Sequence, residues 1–77
     1  MRVSKQAVSP GLREYEELVS RELRILMADK NLSQKAVARA LEKMGISETA
    51  KGLSAKLSAG TFSAAYYVAV LEAIESL

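Results

Sequence analysis

The sequence predicts an all-α fold, a single compact domain of four helices. Apolar residues recur at three- and four-residue steps, and no stretch shows the strict alternation that is typical of a strand. Serine, glycine and proline then divide the 77 residues into helix-length pieces. We expect helices at about 10–30, 33–44, 47–59 and 63–76, within one domain spanning 10–77. Residues 1–9 are predicted to form a flexible basic N-terminal arm.

Each predicted helix has residues that suit its start and its end. Ser9 precedes Pro10, and proline fits a first helical position because no backbone donor is needed there. The predicted N-caps of the next three helices are Ser33, Ser47 and Ser63. Residues able to take the left-handed conformation that ends a helix are Asn31, Gly45 and Gly60.

Helical spacing also predicts which side chains face the core. For helix 1 these are Leu12, Tyr15, Leu18, Val19, Leu23 and Leu26, and for helix 2 Val37, Ala40, Leu41 and Met44. For helix 3 they are Ala50, Leu53 and Leu57, and for helix 4 Ala64, Tyr67, Val68, Leu71 and Ile74.

Helix 4 carries a second apolar line, formed by Tyr66, Val70, Ala73 and Leu77. A surface helix ordinarily has one such line, so burying a second line requires a further element to pack against it. Either helix 1 wraps far enough to cover it, or a second subunit does. We expect a two-fold homodimer through this line.

Composition argues against catalysis. The chain has no histidine and no cysteine, which excludes the usual general base, thiolate chemistry and zinc sites. Glu14, Glu16 and Glu17 cluster near the start of helix 1, where the helix dipole already favours negative charge. We therefore expect no enzyme activity, no cofactor and no metal. Without cysteines, a signal peptide or a long apolar run, the expected location is the cytoplasm, with no membrane partner.

Positive charge is concentrated in the middle of the chain. Residues 30–60 carry six basic groups against two acidic ones, although the net charge of the chain is only +2. Lys35, Arg39 and Lys43 follow one another at four-residue steps, opposite the apolar face of helix 2. This basic row fits a polyanionic partner, and it also fits an ordinary solvated helix face.

Two stretches resemble known families. The run from Asn31 to Leu41, NLSQKAVARAL, resembles the opening of helix 2 in Xre/lambda-repressor-like DNA-binding domains. The run from Leu53 to Ala65, LSAKLSAGTFSAA, is similar to a family of small bacterial domains of unknown function with a similar helix pair. The first resemblance implies a helix-turn-helix, with helix 3 in the major groove and Gln34 supporting a phosphate contact. The turn here is longer, since Lys51 and Ser54 occupy positions that are apolar in the tight form.

These observations predict a bacterial or phage protein that binds double-stranded DNA and regulates transcription. The basic row and Gln34 would contact phosphates, and the residues in or beside the major groove would be Thr49, Lys51, Ala55 and Lys56. Direct base readout should be sparse, because helix 3 offers no Arg, Asn or Gln. The alternatives are a protein-interaction module, such as an adaptor or inhibitor, and RNA binding, for which exposed aromatic platforms are missing.

Overall fold

The structure, a computed structural model, describes residues 10–77, and the arm predicted over 1–9 lies outside the described residues. Within 10–77 the fold is all-α, with four helices and no strand, as predicted. The helices are α1 (Pro10–Asp29), α2 (Gln34–Lys43), α3 (Ala50–Ala59) and α4 (Ala64–Glu75).

The N-cap residues of α2 and α4 are serines. Ser33 Oγ accepts a hydrogen bond from the backbone N–H of Ala36 at 3.1 Å. Ser63 Oγ accepts from the N–H of Tyr66 at the same distance. Each bond satisfies one of the backbone donors that a helix start leaves without an intrahelical partner. Both predicted N-caps are thus confirmed.

The start of α3 differs from the prediction. Ser47 is not its N-cap and the helix does not begin near residue 47; it begins at Ala50, and Thr49 Oγ1 accepts from the N–H of Gly52 at 2.9 Å. Thr49 has the extended backbone of a cap residue, with φ −111° and ψ 161°. Glu48 stays outside the helix because its carboxylate accepts the Thr49 N–H and reaches across to α4.

The core lies where all four helices meet. α3 and α4 each pack against both α1 and α2, whereas the backbones of α1 and α2 stay apart within the described residues. The largest fully buried side chains are Leu23, Val37, Leu41, Leu53, Leu57, Val70 and Ile74.

Fewer side chains of α1 are buried than its apolar pattern predicts. Leu23 and Met27 are buried, but Tyr15 and Leu26, both predicted to face inward, are exposed. Leu12 and Leu18 are exposed as well. The reason is geometric: α1 packs against α3 and α4 but not against α2, so only one side of its surface is covered.

The apolar line of α4 that was predicted to form a dimer interface packs, in part, into the core of the same chain. Val70 and Ala73 are fully buried inside one chain, so they cannot form a surface for a second copy. Tyr66 is half-buried and is hydrogen-bonded within the chain, while Leu77 remains exposed. Conversely Val68, predicted to face inward, is 56% exposed. The predicted interface is therefore wrong, because α4 turns that line toward α1 and α2.

Polar side chains of α1 complete the ends of two other helices. Ser20 and Arg13 donate hydrogen bonds to backbone carbonyls in the last turn of α3. Lys30 Nζ donates to the carbonyls of Ile74 at 3.0 Å and Glu75 at 3.3 Å, at the end of α4. Carbonyls at a helix end lack intrahelical partners, so these bonds hold α1 on α3 and α4 where apolar packing is thin.

Gly60 ends α3 in the left-handed conformation, with φ +67°. A Cβ at this position would collide with the backbone carbonyl of Glu16 in α1. Gly60 thus meets two requirements at once, a positive φ and a close backbone approach between α1 and the α3–α4 turn.

Candidate nucleic-acid interface

The basic row on α2 is fully presented to solvent. Lys35, Arg39 and Lys43 are all exposed, and each step of four residues separates them by about 6 Å along the helix axis. The opposite face of α2 buries Val37 and Leu41, which fixes the direction of the row away from the core. The side chains of these three residues make no hydrogen bond or ion pair with another described residue.

Two members of the row border a groove. Arg39 and Lys43 line a depression of about 400 Å³ between α2 and the end of α4. Its remaining lining residues are Ala36, Ala40, Met44, Ser76 and Leu77. Met44, predicted to be an inner residue of α2, is instead 39% exposed. The row therefore combines charge with apolar surface at this end.

Gln34 lies on a different groove, at the start of α2. It is half-buried and lines a depression of about 290 Å³ with Arg24 and other residues of α1 and with Leu32 of the α1–α2 connection. Arg24 Nη2 also donates to Ser58 Oγ in α3 at 3.3 Å. Arg24 thus lies between the start of α2 and the last turn of α3. Sequence reasoning missed it, because this position depends on contacts across 34 residues of chain.

The residues at and in α3 that were predicted to lie in or beside the DNA major groove are split between two sides of the helix. Lys51 and Ala55 are exposed, and the Lys51 side chain makes no hydrogen bond or ion pair among the described residues. Neither residue lines the groove that Arg39 and Lys43 border on α2. Thr49 is exposed as well, but its hydroxyl oxygen serves the N-cap of α3.

Lys56 contacts Glu48 and Tyr66 on the side of α3 that faces α4. Its Nζ lies 2.7 Å from Glu48 Oε2 and 4.8 Å from the centroid of the Tyr66 ring. Tyr66 Oη donates to the same carboxylate oxygen at 2.5 Å. We name these three residues the Glu48 cluster. Because its charge is compensated inside the chain, Lys56 is a poor candidate for a DNA contact, contrary to the prediction.

The Glu48 cluster shifts two pKa values. The hydrogen bonds from Lys56 and Tyr66, together with the backbone N–H of Thr49, lower the pKa of Glu48 below its ordinary value. Burial, and then the hydrogen bond to the Glu48 carboxylate, raise the pKa of Tyr66 well above its ordinary value. Both shifts favour a charged carboxylate that accepts from a protonated phenol.

Gly52 makes room for this carboxylate. A Cβ at position 52 would meet the Glu48 carboxylate oxygen and would lie 3.1 Å from Thr49 Oγ1. Its small size therefore lets the Glu48 side chain fold over the first turn of α3.

Residues 10–77 contain neither a cluster of potential metal ligands nor a helix suited to spanning a membrane. No group of three or more acidic side chains there is placed to hold a metal ion. None of the described helices has the length and hydrophobicity needed to cross a bilayer.

Comparison with known proteins identifies a family. The model of the family described as "Domain of unknown function (DUF6471)" matches residues 15–77. The chain belongs to this family. The DUF6471 match covers most of α1 and all of α2, α3 and α4, which confirms the predicted membership in a family of unknown function. No curated protein matches the chain, and no solved structure matches it either.

Proposed function

We propose that this DUF6471 chain binds double-stranded DNA and regulates transcription without catalysing a reaction. The observation that carries the proposal is the basic row on α2, three exposed cations in line that have no acidic partner within residues 10–77. Like charges four residues apart on a helix cost a few tenths of a kcal/mol. A phosphate backbone running along the row removes that cost, and each neutralised phosphate releases counterions.

α3 is the element we assign to the major groove. It follows α2 after a six-residue connection and packs against it, an order that suits a helix-turn-helix with a lengthened turn. Its exposed face carries Lys51 and small residues such as Ala55, which allow close approach to a duplex. Because bidentate readers of base edges are absent from this face, specificity should come mainly from groove shape.

Phosphate contacts should extend beyond the row. Gln34 and Arg24 share a groove at the start of α2, and Arg24 also contacts α3, so a strand passing there meets both helices. Lys56 is left out of the proposed interface, since Glu48 already neutralises it.

The test is the salt dependence of duplex binding. We expect Lys35→Ala and Arg39→Ala to weaken binding to every sequence, because phosphate contacts carry no sequence information. Each lost contact should reduce the slope of log K against log salt by about 0.9. The measurement is fluorescence anisotropy with a labelled random-sequence duplex over a salt series.

Arg13→Ala is the matched control. It removes one positive charge from a residue already paired with Glu16 and Glu17 in α1, at 3.2 and 3.5 Å. Its slope should equal that of the unmodified chain. An unchanged slope in both α2 variants, with folding intact by circular dichroism, refutes the proposed phosphate contacts.

A protein-interaction module is the second candidate, and the surface of α1 favours it. Tyr15 and Ile25 are 63% and 57% exposed, which is apolar area available to a protein partner. Failure to bind heparin, together with no mobility shift of random duplex at low salt, would favour this function over DNA binding.

A further inference from the structure

The outer face of α1 is apolar at its centre and charged at its edge. Leu18 and Ile25 are 43% and 57% exposed, and neither packs into the core of its own chain. Beside them on the same side run Glu17, Arg21 and Arg24, all exposed. We call these five residues the α1 outer face.

A shallow, open groove borders this face on the side of α3. Residues of α1 and Ser58 of α3 line a depression of about 570 Å³. Glu17, Arg21, Arg24 and Ile25 are among its lining residues, whereas Leu18 lies outside it. The charged members of the face and Ile25 therefore lie along one open groove.

Spacing on this face favours a second copy of the same helix. Leu18 and Ile25 are seven residues apart, and so are Glu17 and Arg24. When two identical helices lie antiparallel about a two-fold axis, the residue near one end of the face meets the residue near the other end. One register then places Leu18 against the other copy's Ile25, and Glu17 within reach of the other copy's Arg24, each twice.

We infer that two copies of the chain associate antiparallel along the α1 outer face. Apolar side chains meet apolar ones, and acidic groups meet basic ones, which is the complementarity that an isologous interface requires. The contact is one helix pair of about 30 Å, small for a protein interface, so association depends on concentration. The basic row on α2 lies outside this contact and remains open, because the backbones of α1 and α2 stay apart. Arg24 belongs to both proposed surfaces, so the variants of the basic row and Ile25→Glu are the ones that separate DNA binding from association.

The test is sedimentation equilibrium of the whole chain over a wide concentration range. The unmodified chain should show a monomer–dimer equilibrium. The Ile25→Glu variant should remain monomeric at concentrations where the unmodified chain dimerises. Val68→Glu is the matched control, because Val68 on α4 is 56% exposed against 57% for Ile25. Circular dichroism checks that both variants are folded.

Charge reversal tests the register. Glu17→Arg and Arg24→Glu should each weaken association at least tenfold, and the double variant should restore it. Arg21 of each copy lies nearest the two-fold axis, where the guanidinium groups repel, so Arg21→Ala should strengthen association. A chain that stays monomeric at millimolar concentration overturns the inference. So does a dimer that survives Ile25→Glu, or a double variant no better than either single one.

Discussion

Glu48 joins the start of α3 to α4 through bonds that only a carboxylate can make together. It accepts from Lys56 at 2.7 Å, from Tyr66 at 2.5 Å and from the N–H of Thr49 at 3.1 Å. Its side chain is only 7% exposed, so water competes weakly for these bonds. The sequence predicted Lys56 as a DNA contact and did not reveal its ion pair with Glu48. Glu48 lies eight residues from Lys56, outside the spacing of helical ion pairs.

Replacing Glu48 with glutamine should destabilise the chain in a pH-dependent way. The pKa of Glu48 is lowered in the folded chain, so its stabilisation is complete above the ordinary value of 4.5 and is lost as the pH falls below it. Glu48→Gln should cost roughly 1 to 3 kcal/mol of unfolding free energy at pH 7. Its stability should approach that of the unmodified chain near pH 3.

Urea unfolding at both pH values measures this effect, and Glu14→Gln is the control. Glu14 is exposed on α1 and should show no difference at either pH. An equal loss at pH 7 and pH 3 would mean that the Glu48 cluster contributes through packing rather than through its charge.

Gly60 offers a second residue-level prediction. Gly60→Ala should destabilise the chain by well over the roughly 1 kcal/mol cost of a left-handed non-glycine residue, because the new Cβ also meets the Glu16 carbonyl. Gly45→Ala separates the two effects, since Gly45 has φ +90° but open space around it. Thermal melts should show a larger decrease for position 60, and equal decreases would contradict the close approach.

At the scale of elements, the number of helices and the N-caps of α2 and α4 followed from local chemistry, whereas the start of α3 and the buried faces did not. Ser33 and Ser63 were predicted as caps because capping depends only on residues within one turn. The inner face of α4 was predicted only in part: Ile74 is buried and Tyr67 and Leu71 pack against the core, but Val68 is exposed. Residues 64–71 are almost all apolar, so periodicity selects no side there. The basic row on α2 was predictable from spacing alone, while Arg24 entered the candidate site through tertiary contacts.

The corrected orientation of α4 can be tested with two valines. Val70→Ala removes two methyl groups from a fully buried site and should cost about 2 kcal/mol of unfolding free energy. Val68→Ala deletes the same atoms from a side chain that is 56% exposed and should be nearly neutral. Chemical denaturation of both variants decides the matter, and the opposite ranking would support the orientation inferred from the sequence.

For the whole molecule, α1 is the element that holds the others together without being deeply buried itself. Its apolar residues mostly face solvent, but its backbone meets Gly60 and its polar side chains reach the final turns of α3 and α4. No local pattern in the sequence indicates this, since the bonds from Ser20 and Lys30 cross 37 and 44 residues of chain.

The four bonds that Arg13 and Ser20 of α1 and the following Lys30 donate to carbonyls of α3 and α4 have a consequence for how the molecule opens. When α1 lifts away, the carbonyls at the ends of α3 and α4 lose their hydrogen-bond donors in the same event, although those ends are far apart in the chain. Fraying at one of them is then correlated with fraying at the other, and the two turns behave as a single cooperative unit in native-state hydrogen exchange.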